Sequence, residues 1–134
     1  RTMGTTLWVL RKSRRADGDD YDHSAIYKAA SALDALADEI GVRRLSDFFD
    51  WTDFKFNSSN DALPESWIAE NEKWHAPDDA ISSVRAVLDH LKQQDYGGIA
   101  PQDRVELVDE LGDCLRKLGL AKAEGDAFQF CVVM

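Results

Sequence analysis

Apolar positions recur along this chain with two periods, and the switches between them mark the expected elements. Residues 5–12 (TTLWVLRK) place Leu7 and Val9 on one face of an extended segment and Trp8 and Leu10 on the other. Both faces are apolar, so an interior strand of a sheet is expected. From residue 23 to residue 40 the period becomes helical: Ile26, Ala29, Ala30, Leu33, Leu36, Ala37 and Ile40 share a face, and Gly41 stands where a left-handed cap belongs. Two more helices follow the same logic. Residues 79–94 turn Ile81, Val84, Val87, Leu88 and Leu91 inward behind an Asp78 or Asp79 cap, and residues 101–118 open on Pro101 and carry Val105, Val108, Leu111, Leu115 and Leu118. Tyr96-Gly97-Gly98 separates them. The closing run 127–134 (AFQFCVVM) alternates again, with Phe128, Phe130, Val132 and Met134 on one face of a strand.

Between residues 45 and 79 the pattern is denser and less regular. Ser46 can cap a short turn through Phe48, Phe49 and Trp51. Asp53-Phe54-Lys55-Phe56-Asn57 alternates, which predicts a short strand with one wet face, and residues 57–61 then form a polar loop. Pro64 suits a helix start, and over residues 64–74 Trp67, Ile68, Asn71 and Trp74 fall on one face. The two terminal strands cannot bury both faces alone. Pairing them beside Phe54 and Phe56 gives an α+β architecture with about four helices packed on a small sheet that includes both terminal strands. Met3-Gly4 reads as a start, with Arg1 and Thr2 as an added remnant, so a single globular domain over residues 3–134 is expected.

Charge narrows the partners. The net charge of -9 in 134 residues gives no electrostatic route to phosphate backbones or anionic membranes, whose binding depends on clustered Lys and Arg. A basic protein would be steered toward such a surface. No apolar run approaches the roughly 20 residues of a membrane helix. Cys114 and Cys131 match no zinc or redox spacing and lie in apolar patterns, which fits reduced, buried thiols in a cytoplasmic protein. Cys131-Val132-Val133-Met134 formally satisfies a prenylation box, but Phe128 and Phe130 continue its alternation upstream, so a buried strand is the expected state.

Catalytic chemistry is thinly signalled. The acidic run Asp17, Asp19, Asp20 and Asp22 fails the calcium-loop pattern, because Asp22 and Lys28 stand where glycine and glutamate are required, and a solvated loop is expected. No nucleophile elbow, phosphate loop, cofactor motif or metal spacing is present, and none of these groups is expected. Of the three histidines, His75 alone has several carboxylates near it in sequence (Glu70, Glu72, Asp78, Asp79), which frames one alternative: an acid-base enzyme using His75 with a nearby carboxylate. The leading expectation is a protein-binding module. Tryptophan set among carboxylates resembles the anchor-and-rim makeup of interfaces, with Asp50, Asp53, Glu65, Glu70 and Glu72 supplying charge and Trp51, Trp67 and Trp74 as candidate anchors. Its sharpest form is an inhibitor or immunity protein for a basic toxin.

Overall fold

The computed structural model describes residues 5–58 and 63–134. The expected start at Met3-Gly4 and the end of the polar loop after Ser58 lie outside those residues. The chain folds as α+β. Strand β1 (Thr6–Arg11) pairs antiparallel with β3 (Phe128–Val133) in the register Thr6↔Val133 to Arg11↔Phe128, and β3 pairs parallel with the two-residue β2 (Phe49–Asp50). The order β1-β3-β2 makes the C-terminal strand central and puts β1 at an edge.

That edge position departs from the interior strand expected for residues 5–12, and the reason lies in what covers the sheet. Leu7, Val9, Phe128, Phe130 and Val132 enter the main core, while Leu10, Cys131 and Val133 form a second cluster on the opposite face with Trp8 and Trp74 against it. Both faces of β1 are therefore apolar without its having two neighbours. Its free edge is closed by the acidic loop: the Val9 amide donates to Asp19 Oδ2 (2.8 Å) and the His23 amide to the Leu7 carbonyl (3.0 Å). Blocking these groups removes a template for unwanted strand pairing.

The helix expected over residues 23–40 exists in two pieces, α1 (Ser24–Lys28) and α2 (Ala30–Ile40), separated at Ala29 (φ -93, ψ 10). Gly41 caps α2 with φ 76, and its amide donates to the carbonyls of Ala37 and Asp38, as the sequence predicts. A short 3-10 turn, Leu45–Phe48, leads into β2; Ser46 does not cap it, its hydroxyl donating instead to Asp34 (2.5 Å).

Residues 53–57 are not a strand. They lie in α3 (Thr52–Ser58), entered through the Asp50 carboxylate, which accepts from the Thr52 amide at 3.0 Å. The five alternating residues are too few to separate the two periods, and the strand position beside β3 is taken by Phe49 and Asp50. Helix α4 (Ser66–Asn71) is shorter than the 64–74 expected, because the chain turns extended at Glu72 (φ -68, ψ 149). This brings His75 onto the sheet, where it exchanges backbone hydrogen bonds with Phe128 (2.8 and 2.9 Å).

Helices α5 (Pro77–Gln93) and α6 (Pro101–Ala123) pack on each other, α6 also on β1 and α5 on α2 and the Leu45–Phe48 turn. Each begins at its proline, so Asp78 and Asp79 occupy the first turn of α5 and not its cap. In α6 the buried face is Leu107, Leu111, Cys114, Leu118 and Ala121; Val105, expected inward, is 66% exposed. Phe48, Phe128 and Phe130 fill the centre, with ring centroids 5.2 to 6.2 Å apart.

Candidate functional site

The eight residues predicted to meet a partner separate into an inner and an outer group. Asp50 is only 6% exposed. Its two oxygens accept from the Thr52 amide and, at 2.8 Å, from the Lys73 amide, so the carboxylate joins β2 to the segment before His75 and offers nothing to a partner. Glu72, with a side chain 9% exposed, accepts from Arg15 Nε at 2.7 Å, and Asp53 lies 3.7 Å from the same guanidinium. Trp74 packs on Leu10, Cys131 and Val133. These four were expected at a surface and instead close the second face of the sheet or tie it down.

Beneath them, burial and then the Asp53 carboxylate push the Cys131 thiol up to about 12, and burial raises Cys114 well above its usual value. Both thiols are unpaired, buried and held in the unreactive form. Asp50→Ala leaves two buried or half-buried amides without an acceptor, at about 1–3 kcal/mol each. Chemical denaturation should show the loss, and a variant as stable as the parent would contradict the structural role.

Trp51, Glu65, Trp67 and Glu70 remain at the surface. Trp51 is 39% exposed, yet it is held edge-on against Phe54 (5.5 Å, 82°) and Tyr27 (6.0 Å, 62°). The anchor is therefore shared between α1 and α3. Tyr27 escaped the sequence reading because it sits in α1 outside the apolar period, and only the tertiary contact places it beside Trp51. Trp67 is half-buried on α4, which packs against α3. Glu65 and Glu70 are exposed, and among the described residues neither forms an ion pair.

The histidine geometry inverts the expectation. His75 has its ring edge-on to Phe48 (5.3 Å) and near Phe128 (6.0 Å), with no carboxylate hydrogen-bonded to it among the described residues. Burial, and then the Arg43 charge, lower its pKa and keep it neutral. The histidine that does meet carboxylates is His23, fully buried: Nε2 lies 2.7 Å from Asp113 Oδ2, and Nδ1 lies 3.1 Å from the Leu7 carbonyl and 3.5 Å from Asp19. Lys117 completes the set, its ammonium contacting Asp19, Asp20 (2.8 Å) and Asp113 (2.9 Å). With His23 closed off from solvent, no substrate can reach it. The network instead fastens β1 and the acidic loop to α6, so that loop is bound down and not merely solvated.

The chain thus folds as α+β, with a net charge of -9 and an aromatic patch in which Trp51 meets Tyr27 and Phe54. Among the described residues no group of three or more His, Cys, Asp or Glu is placed to hold a metal ion, and no helix is long and apolar enough to cross a membrane. No protein-family model, curated protein or solved structure matches the chain.

Proposed function

We propose that this is a cytoplasmic protein-binding module whose acidic surface engages a basic partner protein, in its sharpest form an inhibitor or immunity protein for a nucleic-acid-cleaving toxin. Such a toxin must be basic to hold phosphates, and its inhibitor gains from being acidic. The observation that carries the reading is Trp51: a large aromatic side chain left 39% exposed, yet fixed in orientation by Tyr27 and Phe54, on a chain of net charge -9. A pre-positioned aromatic loses little freedom on binding and can fill a partner's pocket, which is how interface anchors act. Glu65 and Glu70, which form no ion pair among the described residues, supply the charge for steering, a role that Asp50 and Glu72 cannot share because their oxygens already bind within the fold. The acid-base alternative through His75 has no carboxylate hydrogen-bonded to its ring among the described residues to support it.

The reading is tested by capture from native lysate at two salt concentrations, with Trp51→Ala and the double variant Glu65→Gln/Glu70→Gln beside the parent. Trp51→Ala should weaken capture by about 2 kcal/mol, roughly 30-fold. Raising salt should weaken it for the parent more than for the glutamine variant, since exposed charges are screened within about 10 Å at 0.1 M. Capture indifferent to salt and to both variants removes the mechanism.

A further inference from the structure

Helix α1 presents a second surface beside the aromatic patch. Tyr27 touches Trp51, and the next residue in the chain, Lys28, lines a groove of about 550 Å³ between the α1–α2 break and the start of α6. The volume falls in the range of about 300–1,000 Å³ typical of ligand pockets. Its α1–α2 wall is built from small residues, among them Ala25, Ala29 and Ala32, with Gly98 facing them; a Cβ at Gly98 would stand 3.5 Å from the Ala32 methyl and narrow the space. The α6 wall carries Asp103 and Glu106, one helical turn apart. Both are exposed, and among the described residues neither carboxylate accepts a hydrogen bond or forms an ion pair. Lys28, the cation of the groove, has no carboxylate within 4.0 Å among the described residues, so it does not neutralise them.

We propose that this groove receives an arginine or lysine side chain of the basic partner, an inference that rests on the reading of the domain as a binder of such a protein. The chemistry fits each end of that side chain. A methylene stem lies well along small apolar walls while its charged head reaches solvent-accessible carboxylates. At the head, Asp103 and Glu106 offer acceptors for charge-assisted hydrogen bonds, which are roughly twice as strong as neutral ones. Charge selects the occupant: Asp103 and Glu106 have no counter-ion among the described residues, and the group that a basic protein partner brings to such a pair is an arginine or lysine side chain. The partner surface would then carry an apolar pocket for Trp51 and a basic residue for the groove.

The experiment uses the isolated protein and two small probes. N-acetyl-L-arginine amide carries the guanidinium; N-acetyl-L-citrulline amide has nearly the same shape without the charge. In a two-dimensional amide NMR titration at low salt, the arginine probe should produce saturable shifts at Ser31, Ala32 and Gly98, weakened at least fivefold in Asp103→Asn/Glu106→Gln. Citrulline should give none. Ser31→Leu, which fills the groove from an exposed position, should also abolish the shifts. No saturable shift with the arginine probe, equal shifts from the two probes, or shifts unchanged in the carboxamide variant would overturn the inference. Trp51→Ala should leave probe affinity unchanged. A failure of partner capture with intact probe binding therefore counts against the protein-binding reading alone, and the reverse result counts against the groove alone.

Discussion

A chain ending at Gln129 will lack a cooperative thermal transition, because the five residues removed hold the middle of the sheet. Phe130 is buried against Phe48, Phe49 and Phe128, and Cys131, Val132 and Val133 are buried behind it. Burying a large apolar side chain is worth about 1.5–3 kcal/mol, so Phe130, Val132 and Val133 alone account for much of the stability of a small domain, about 5–15 kcal/mol. Pairing is lost as well. Phe130 and Cys131 face Val9 and Trp8 on one side and Phe49 and Asp50 on the other, so truncation leaves most of β1 and all of β2 without partners. Circular dichroism during heating reads the outcome: a sloping, non-sigmoidal signal for the truncated chain beside a sharp transition for the parent. A truncated chain melting within a few degrees of the parent would show that the sheet does not organise the core.

Much of this architecture was legible because its signals are long or chemically specific. The two terminal strands are short and densely apolar, α5 and α6 repeat their period over several turns, and Gly41 and Pro101 mark termini through backbone constraints that act locally, whereas α5 begins at Pro77 and not behind the Asp78 or Asp79 cap expected. Residues 53–57 misled for the opposite reason. Two phenylalanines two apart fit the strand period, but a run of five is too short to outweigh tertiary context: Phe49 and Asp50 take the place beside β3, and the Asp50 carboxylate accepts from the Thr52 amide at the start of α3, a contact invisible in composition. The candidate site divides along the same line. Clustering of tryptophan with carboxylates located the segment, but it could not sort Trp74, which covers Leu10 and Cys131, from Trp51, which faces solvent. Proximity in sequence also favours His75, whereas Asp113, the carboxylate hydrogen-bonded to the His23 ring, lies 90 residues from it. Such pairs arise from packing α6 on β1, and no local pattern announces them.

Lys117→Met is the single substitution expected to weaken the fold most. The side chain is 12% exposed, and its ammonium sits among Asp19, whose side chain is 1% exposed, Asp113 and Asp20. Methionine keeps the stem and deletes the charge, stranding Asp19 and Asp113 in a poorly solvated site where, among the described residues, Arg116 still pairs with Asp113 and the His23 ring still lies against both carboxylates. Breaking a buried pair from one side costs about 3–5 kcal/mol. The pH dependence separates this from a simple packing defect. Burial alone would raise the Asp113 carboxyl, but hydrogen bonds from Lys117, Arg116 and His23 hold it below its ordinary 3.8, so its contribution is present above that value and disappears as pH falls through the lower folded one. Lys117 is shifted upward despite burial, by its bonds to Asp19, Asp20 and Asp113; its contribution is complete below its ordinary 10.5 and fades only in strong alkali. The parent should therefore hold a plateau between these limits and lose stability in acid. In the variant, protonating the stranded carboxylates relieves an uncompensated charge. The stability gap between the two proteins, measured by urea denaturation, should be widest near pH 7 and close as pH approaches 3. A gap under about 1 kcal/mol at pH 7, or one that widens in acid, would show that the Lys117 cluster is a surface ion pair of the ordinary weak kind and not the fastening between β1 and α6.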